Sequence, residues 1–236
     1  RTYNNILIFV KIVWKWMIEN GYATDSPFKT FKKKITEDKM RLIIPRDQRS
    51  EILAYFKAND KQMYITSLLV FHCLIRPKEI TFLKPEHFNY KNQTILVPAA
   101  AAKNRNMRIS TIPNVILQEI IDFDFNGAKP NEYIFGKNFA PGTELMSARC
   151  FSRQWERMRK ATKMPDEYQL YSLRDSGITQ LIIDGVTLDE VMKLADHSSL
   201  NITSIYLKYA NPTGSEQIKN KSTLFFWIIN PNKGTR

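Results

Sequence analysis

The stretch 171–209 carries polar residues at spacings that the packing of a core does not require. Tyr171 and Arg174 are three residues apart, so on one helical turn a phenol and a guanidinium face the same side. His197 follows the next predicted helix, and Tyr206 lies nine residues beyond it. Directed at one target, these groups could hold a phosphate by charge-assisted hydrogen bonds and attack it with an oxygen nucleophile.

The order aromatic-x-x-Arg, then His, then Tyr resembles the second half of the active site of the tyrosine recombinase (phage integrase) family. The family pattern is His-x-x-Arg, then Gly-His, then a nucleophilic tyrosine nine residues later. Here Tyr171 stands at the first His position and Asp196 at the Gly position. Asp175 follows Arg174 where the family often has a second histidine, and we expect its carboxylate to pair with that arginine and orient it.

Two upstream segments match earlier motifs of the same family. An apolar helical pattern ends at Arg76, and the proline after it suits the first turn of a new helix. In the family an arginine here contacts the scissile phosphate and an acidic residue three positions later supports it, roles that the resemblance assigns to Arg76 and Glu79. Lys103 lies in the polar turn of a predicted hairpin formed by 94–99 and 107–112. The family carries its catalytic lysine on such a hairpin.

The resemblance implies an enzyme that cuts and rejoins DNA at specific sites. Arg76 and Arg174 would hold the negative charge that builds on the non-bridging phosphate oxygens. Tyr206 would attack the phosphate and form a covalent 3′-phosphotyrosyl link, while Lys103 protonates the departing 5′ oxygen. His197 would bond to the phosphate or help to move the proton. The tyrosyl ester keeps the bond energy for rejoining, so neither a metal nor another cofactor is expected.

The departures from the family pattern leave alternatives open. A phenol at Tyr171 can donate a hydrogen bond to a phosphate, but its pKa lies about three units above that of imidazole, so we expect it to act by donation only. Tyr171 and Asp175 would also suit a DNA-binding module that descends from such an enzyme and no longer cuts. A type IB topoisomerase would use the same nucleophile. Retention of both arginines, the lysine and the tyrosine favours an active recombinase.

The elements that must position these residues are mainly helices with a small β-hairpin, an α+β fold. Residues 1–24 are expected to end a helical core-binding domain, in which 2–19 form one helix. Residues 25–44 would be a basic linker and 45–212 the catalytic domain, followed by a tail at 213–236. Because Arg1 already lies inside a helical pattern, we expect the chain to be part of a longer protein.

Two sets of basic residues predict DNA contacts outside the site. The first set, in the linker, suits a phosphate backbone, and the second, in i, i+4 steps along one helical stripe, suits a DNA groove. A solvated charged face is the alternative for both. The first set comprises Lys29, Lys32, Lys33 and Lys34, and the second comprises Arg149, Arg153 and Arg157.

Composition agrees with a nucleic-acid partner. Of 236 residues, 43% are hydrophobic and 25% charged, ordinary values for a globular protein. The formal net charge of +12 favours nucleic acid ahead of an anionic membrane, although a merely basic protein would share it. Two cysteines without zinc spacing, Cys73 and Cys150, predict a reduced, cytoplasmic protein without a structural metal.

The predicted tail at 213–236 indicates how copies of the chain could associate. Its apolar run 224–229 is far shorter than the roughly 20 residues of a spanning helix, so no membrane partner is expected. Such a run must pack, either on its own domain or, as the resemblance implies, on a neighbouring subunit. The expected partners are therefore double-stranded DNA attachment sites and further copies of the chain, from dimer to tetramer, with accessory DNA-bending proteins as a further class. A bacterial mobile element is the expected origin.

Overall fold

The computed structural model describes residues 2–35, 42–101 and 106–210. It divides into two compact units, Arg1–Met40 and Arg41–Arg236. Lys103 and the predicted tail at 213–236 lie outside the described residues.

The first unit is built on one long helix. Helix α1 spans Thr2–Glu19, as its periodicity predicts, and the chain turns after it at Gly21, where φ is 74°. The segment that follows runs back along α1, because side chains of the helix bond to its carbonyls. Trp14 donates to the carbonyl of residue 25 at 2.7 Å, Lys11 to that of residue 31 at 2.8 Å and Asn4 to that of residue 34 at 2.8 Å. The first part of the predicted linker is therefore packed on α1.

The second unit is mainly helical, with short 3₁₀ turns at Pro85–His87, Asp124–Gly127 and Lys137–Phe139. Its helices are α2 (Arg46–Asn59), α3 (Lys61–His72), α4 (Pro77–Ile80), α5 (Asn114–Phe123), α6 (Arg149–Thr162), α7 (Leu170–Ile183), α8 (Leu188–Ala195), α9 (Leu200–Ser204) and α10 (Leu207–Ala210).

A small antiparallel sheet completes the unit. Its strands are β1 (Phe88–Asn89), β2 (Thr94–Val97) and β3 (Arg108–Thr111), in the order β1-β2-β3. Strands β2 and β3 form the predicted hairpin, whereas β1 was not predicted. The expected α+β fold is confirmed.

The core is organised around α3 and α7. Helix α3 is buried on most sides, since Met63, Leu69 and Val70 are inaccessible to solvent. Helix α7 approaches it so closely that a Cβ added at Gly177 would lie 2.0 Å from the carbonyl oxygen of Phe71. Only glycine permits this approach. The contact fixes the first half of α7, which carries the predicted site residues, against the end of α3.

Candidate active site

Arg76 is positioned by the junction of α3 and α4. It has extended backbone angles and caps α4, whose first residue is the proline that the sequence indicates. Glu79 accepts hydrogen bonds from the backbone N–H of Arg76 at 2.8 Å and from its Nη1 at 2.7 Å. Burial raises the pKa of Glu79, but the charge of Arg108 and the bonds from Arg76 outweigh it, and the pKa is lowered. Glu79 is thus a buried, ionised support for Arg76.

Arg108 is a member of the site that the sequence analysis missed. It lies on β3, and its Nη2 donates to Oε2 of Glu79 at 2.7 Å while its Nη1 donates to the carbonyl of Leu194 at 3.0 Å. Its side chain is almost buried. The signal that could have found it is a single arginine inside a β-prone run. Arg108 thus ties the sheet to α8 and gives Glu79 a second guanidinium partner beside Arg76.

Asp196 is a second carboxylate partner of Arg76. Its Oδ2 accepts from Nη1 of Arg76 at 2.8 Å, and its carbonyl accepts from Nη2 at 3.0 Å. It ends α8 in the left-handed conformation, with φ 50° and ψ 50°. That conformation suits glycine best and aspartate better than most residues, which explains how Asp196 can stand at the Gly position of the motif. The carboxylate of Asp196 therefore bonds to the arginine that, according to the resemblance, contacts the scissile phosphate.

Arg174 is fully buried in the first half of α7. Its Nη1 donates to the carbonyl of Leu74 and its Nη2 to the carbonyl of Ala195, which also accepts from Arg76. Its Nε has no hydrogen-bond partner among the described residues. Burial lowers the pKa of Arg174 to about 10, so the guanidinium remains charged at neutral pH. Tyr171 is 40% exposed, with its ring centroid 5.9 Å from the guanidinium carbon of Arg174.

Tyr206 lies between α9 and α10 and is 2% exposed. Its hydroxyl donates to Oδ1 of Asp175, the residue that we expected to orient Arg174, at 2.5 Å. Its ring lies parallel to that of His197, with centroids 6.2 Å apart and 11° between the planes. Nδ1 of His197 is 3.0 Å from Oγ1 of Thr203.

These contacts bring most of the predicted site residues into two connected groups. Arg76 and Arg174 share the carbonyl of Ala195, and Tyr206 contacts both Asp175 and His197. The groups are joined through α7, since Asp175 follows Arg174. The predicted lysine, Lys103, lies outside the described residues. The site thus contains the groups that phosphoryl transfer to tyrosine needs: two guanidinium groups, an imidazole and a phenol. Both guanidinium groups are bonded to acceptors of the protein.

The two predicted basic sets lie in different units of the chain. On α6, Phe151, Trp155 and Met158 are buried, so the predicted arginines project from the opposite, exposed face. Arg149 and Arg153 line a depression of about 510 Å³, where Ser147, Ser152, Glu156, Arg159 and Gln169 also lie.

The third arginine of that set and two of the four lysines have local partners. Arg157 donates to Gln154 at 3.1 Å. In the first unit, Lys29 pairs with Asp25, and the ammonium of Lys34 lies 4.9 Å above the ring of Tyr3. Lys32 and Lys33 are also exposed.

Residues 36–211 match the model of the phage integrase family. The chain belongs to this family. It is 24% identical over 166 residues to the tyrosine recombinase XerA of Thermococcus kodakarensis, an alignment that covers 70% of this chain and 57% of that protein. The chain thus spans little more than half the length of this relative. The family that the motifs predict is therefore confirmed.

Solved integrase structures share the fold. The Tn1549 transposon integrase in complex with a circular intermediate DNA has a TM-score of 0.71 and 17% identity, covering 86% of this chain and 73% of that one. A lambda integrase dimer bound to a core site has a TM-score of 0.66 and 16% identity, covering 86% of this chain and 58% of that one. The similarity to these structures shows that this chain has the integrase fold.

Within 2–35, 42–101 and 106–210, no helix is long and apolar enough to cross a membrane. In the same ranges, no group of three or more His, Cys, Asp or Glu residues is arranged to hold a metal ion.

Proposed function

We propose that this integrase-family protein is a site-specific DNA recombinase that integrates and excises a mobile element through a covalent 3′-phosphotyrosyl intermediate. The observation that carries the proposal is the convergence of Arg76, Arg174, His197 and Tyr206 from separate segments of the chain. Each motif is common by itself. Their spatial convergence in a chain of this family supports one site for phosphoryl transfer.

The proposed roles follow from charge and geometry. Arg76 and Arg174 stabilise the charge on the phosphate oxygens, and the buried Nε of Arg174 is a donor that such an oxygen would satisfy. Tyr206 is the nucleophile, and His197 lies beside it. Tyr171 donates to the phosphate from the exposed edge of the site. Lys103 is proposed as the acid that protonates the 5′ oxygen.

The described arrangement is closed. Tyr206 is buried, and both guanidinium groups are bonded to acceptors of the protein. DNA binding must therefore exchange some of these bonds for bonds to phosphate and uncover the phenol.

DNA and further copies of the chain are the proposed partners. The Tn1549 integrase structure contains a circular intermediate DNA, and the lambda integrase is a dimer on its core site. The exposed arginine face of α6 and the lysines near α1 suit a polyanion. We extend the proposal to a core-binding part at 1–24, a linker at 25–44, a catalytic domain at 45–212 and a tail at 213–236 that docks on a neighbouring subunit. The proposal also includes assembly of the chain on DNA into a dimer or tetramer. Accessory DNA-bending proteins would aid this assembly, in a bacterial cytoplasm.

The test is covalent trapping on nicked DNA. Duplexes from the junctions of the element that encodes the chain are nicked next to each candidate cleavage site, so that a cleaved strand is lost and the adduct accumulates. The parental protein should form a covalent adduct that survives denaturation. Tyr206→Phe should bind the same duplexes and form none, because it removes one oxygen. Tyr209→Phe, three residues away, is the matched control and should still react.

Other outcomes would redirect the assignment. An adduct with Tyr206→Phe would remove Tyr206 as the nucleophile. A parental protein that binds the junctions but never reacts would be a DNA-binding module that no longer cuts. Relaxation of supercoiled plasmids without a junction sequence would indicate a topoisomerase.

A further inference from the structure

The hydroxyl of Tyr206 already bonds to a carboxylate. Its oxygen lies 2.5 Å from Oδ1 of Asp175, and the two residues are 2% and 5% exposed. Separations of about 2.5–2.7 Å are typical of a hydroxyl that donates to a charged carboxylate. The proton that must leave when Tyr206 attacks phosphorus is therefore directed at a group that can take it.

We propose that Asp175 is the general base of strand cleavage, an inference that rests on the proposed function, in which Tyr206 is the nucleophile. As the phenolic oxygen bonds to phosphorus, its proton passes to Oδ1 of Asp175. The bond from phosphorus to the 5′ oxygen breaks, and that oxygen takes a proton from the general acid, for which Lys103 is the proposed group. Rejoining reverses both transfers, and Asp175 returns its proton to the phenol.

A base is needed because tyrosine is a weak nucleophile at neutral pH. An ordinary phenol has a pKa near 10, so only about one in a thousand is ionised at pH 7. A positioned base typically accelerates such a step by about 10²- to 10⁴-fold. The arginines favour the phenolate by their charge, but a guanidinium cannot accept its proton.

The geometry favours Asp175 over His197 as that base. The planes of the His197 and Tyr206 rings are 11° apart and their centroids 6.2 Å apart. The hydroxyl lies in the plane of its own ring and is directed at Oδ1 of Asp175. The Nδ1 atom of His197 is also within hydrogen-bonding distance of Thr203.

Asp175 is held in place by the core. It follows Arg174 on α7, so the base and the phosphate-binding guanidinium move as one body. Helix α7 is fixed two residues later, where Gly177 meets the backbone of Phe71. The carboxylate at this position is a departure from the family motif, which often has histidine there. In this chain the departure supplies a proton acceptor for the nucleophile.

The test replaces the carboxylate by an isosteric amide and follows the reaction against pH. Asp175→Asn still accepts a hydrogen bond but is a much weaker base. In single-turnover cleavage of nicked junction DNA at pH 7, we expect its rate to fall by about 100-fold or more. Its rate should rise about tenfold per pH unit from pH 7 to 9, since direct ionisation of the phenol replaces transfer to the base. The parental rate should be flatter.

Rescue separates proton transfer from a structural effect. With 3-fluorotyrosine at position 206, the phenol is more acidic, and cleavage by Asp175→Asn should recover more than cleavage by the parental protein. The melting temperature and the affinity for DNA are measured beside it. A loss of stability alone would leave the slope against pH and the response to fluorotyrosine equal to those of the parental protein, and would overturn the proposal.

A measurement on the parental protein covers the case in which the variant does not fold. A substrate with sulfur in place of the scissile 5′ oxygen has a leaving group that needs no proton. Only the phenolic proton is then in transfer, so cleavage should remain slower in heavy water. Equal rates in light and heavy water would show that transfer of the phenolic proton does not contribute to the rate-limiting step and would overturn the proposal.

The remaining outcomes are distinct. If the parental protein forms an adduct and Asp175→Asn reacts equally fast with the same pH profile, Asp175 is not the base, although the proposed function stands. If Asp175→Asn reacts faster, the contact restrains the nucleophile, and the base assignment is wrong. If the parental protein forms no adduct with any junction, both proposals fail.

Discussion

Replacing Asp196 by glycine should accelerate strand cleavage. In the described state the Asp196 carboxylate bonds to Nη1 of Arg76 at 2.8 Å, and its carbonyl bonds to Nη2. If Arg76 holds the scissile phosphate, the carboxylate competes with that phosphate for the same donors. Asp196→Gly removes the competitor, keeps the backbone carbonyl and restores the residue typical of the family motif.

The size of the effect follows from the contact. A hydrogen bond to a charged group contributes about 1.5–3 kcal/mol when it is shielded from water. Here the side chains of Arg76 and Asp196 are 19% and 24% exposed, so solvent screening brings the value toward the lower end. A gain of roughly 1.4 kcal/mol in phosphate binding corresponds to about tenfold in rate when DNA is limiting.

Stability should change little. The variant loses the ion pair with Arg76, which costs stability. It also places glycine at φ 50°, where a residue with a Cβ is strained by roughly 1 kcal/mol. These terms oppose each other, so we expect the free energy of unfolding to stay within about 1 kcal/mol of the parental value. A faster reaction would then reflect access to Arg76 and not a change in folding.

The assay is single-turnover cleavage of nicked junction DNA at limiting concentration. Asp196→Asn is the matched control, because asparagine tolerates the left-handed conformation and keeps an acceptor but removes the charge. Its rate should lie between the parental rate and that of the glycine variant. A stable Asp196→Gly protein that cleaves at the parental rate or more slowly would refute the competition. The carboxylate would then be an aid to the orientation of Arg76.

Two further predictions concern stability. Gly177→Ala should lower the free energy of unfolding by about 3 kcal/mol, because the added Cβ would lie 2.0 Å from the carbonyl oxygen of Phe71 and α7 must shift. A change of less than about 1 kcal/mol in denaturant unfolding would contradict this close approach. Burial and then the charge of Arg49 lower the pKa of His72 to about 4 from 6.5. The unfolded chain therefore binds the proton first, and about 3 kcal/mol of stability present above pH 6.5 should be lost between pH 6.5 and 4. His72→Gln should remove that loss, and an unchanged pH profile of unfolding would count against it.

The order and spacing of the motifs by themselves determined the family and the fold class. Spacing of three places Tyr171 and Arg174 on one side of a helical turn, and alternation around a polar turn predicts the hairpin of β2 and β3. These are local patterns, since the period of a helix or strand determines which residues share a face. The exposed arginines of α6 follow from the same periodicity. Strand β1 is only two residues long and has no period to recognise.

The bonding within the site depended on tertiary structure. The paired residues are far apart in the sequence. Arg76 is separated from Asp196 by 120 positions, Glu79 from Arg108 by 29 and Asp175 from Tyr206 by 31. Nothing in their spacing indicates that they meet, because each pair is joined by the packing of α3, α7, α8 and the sheet. Spacing encodes the face on which a side chain lies. The partner of a buried charge is decided by the acceptor that folding brings within reach, since a buried charge is costly without one.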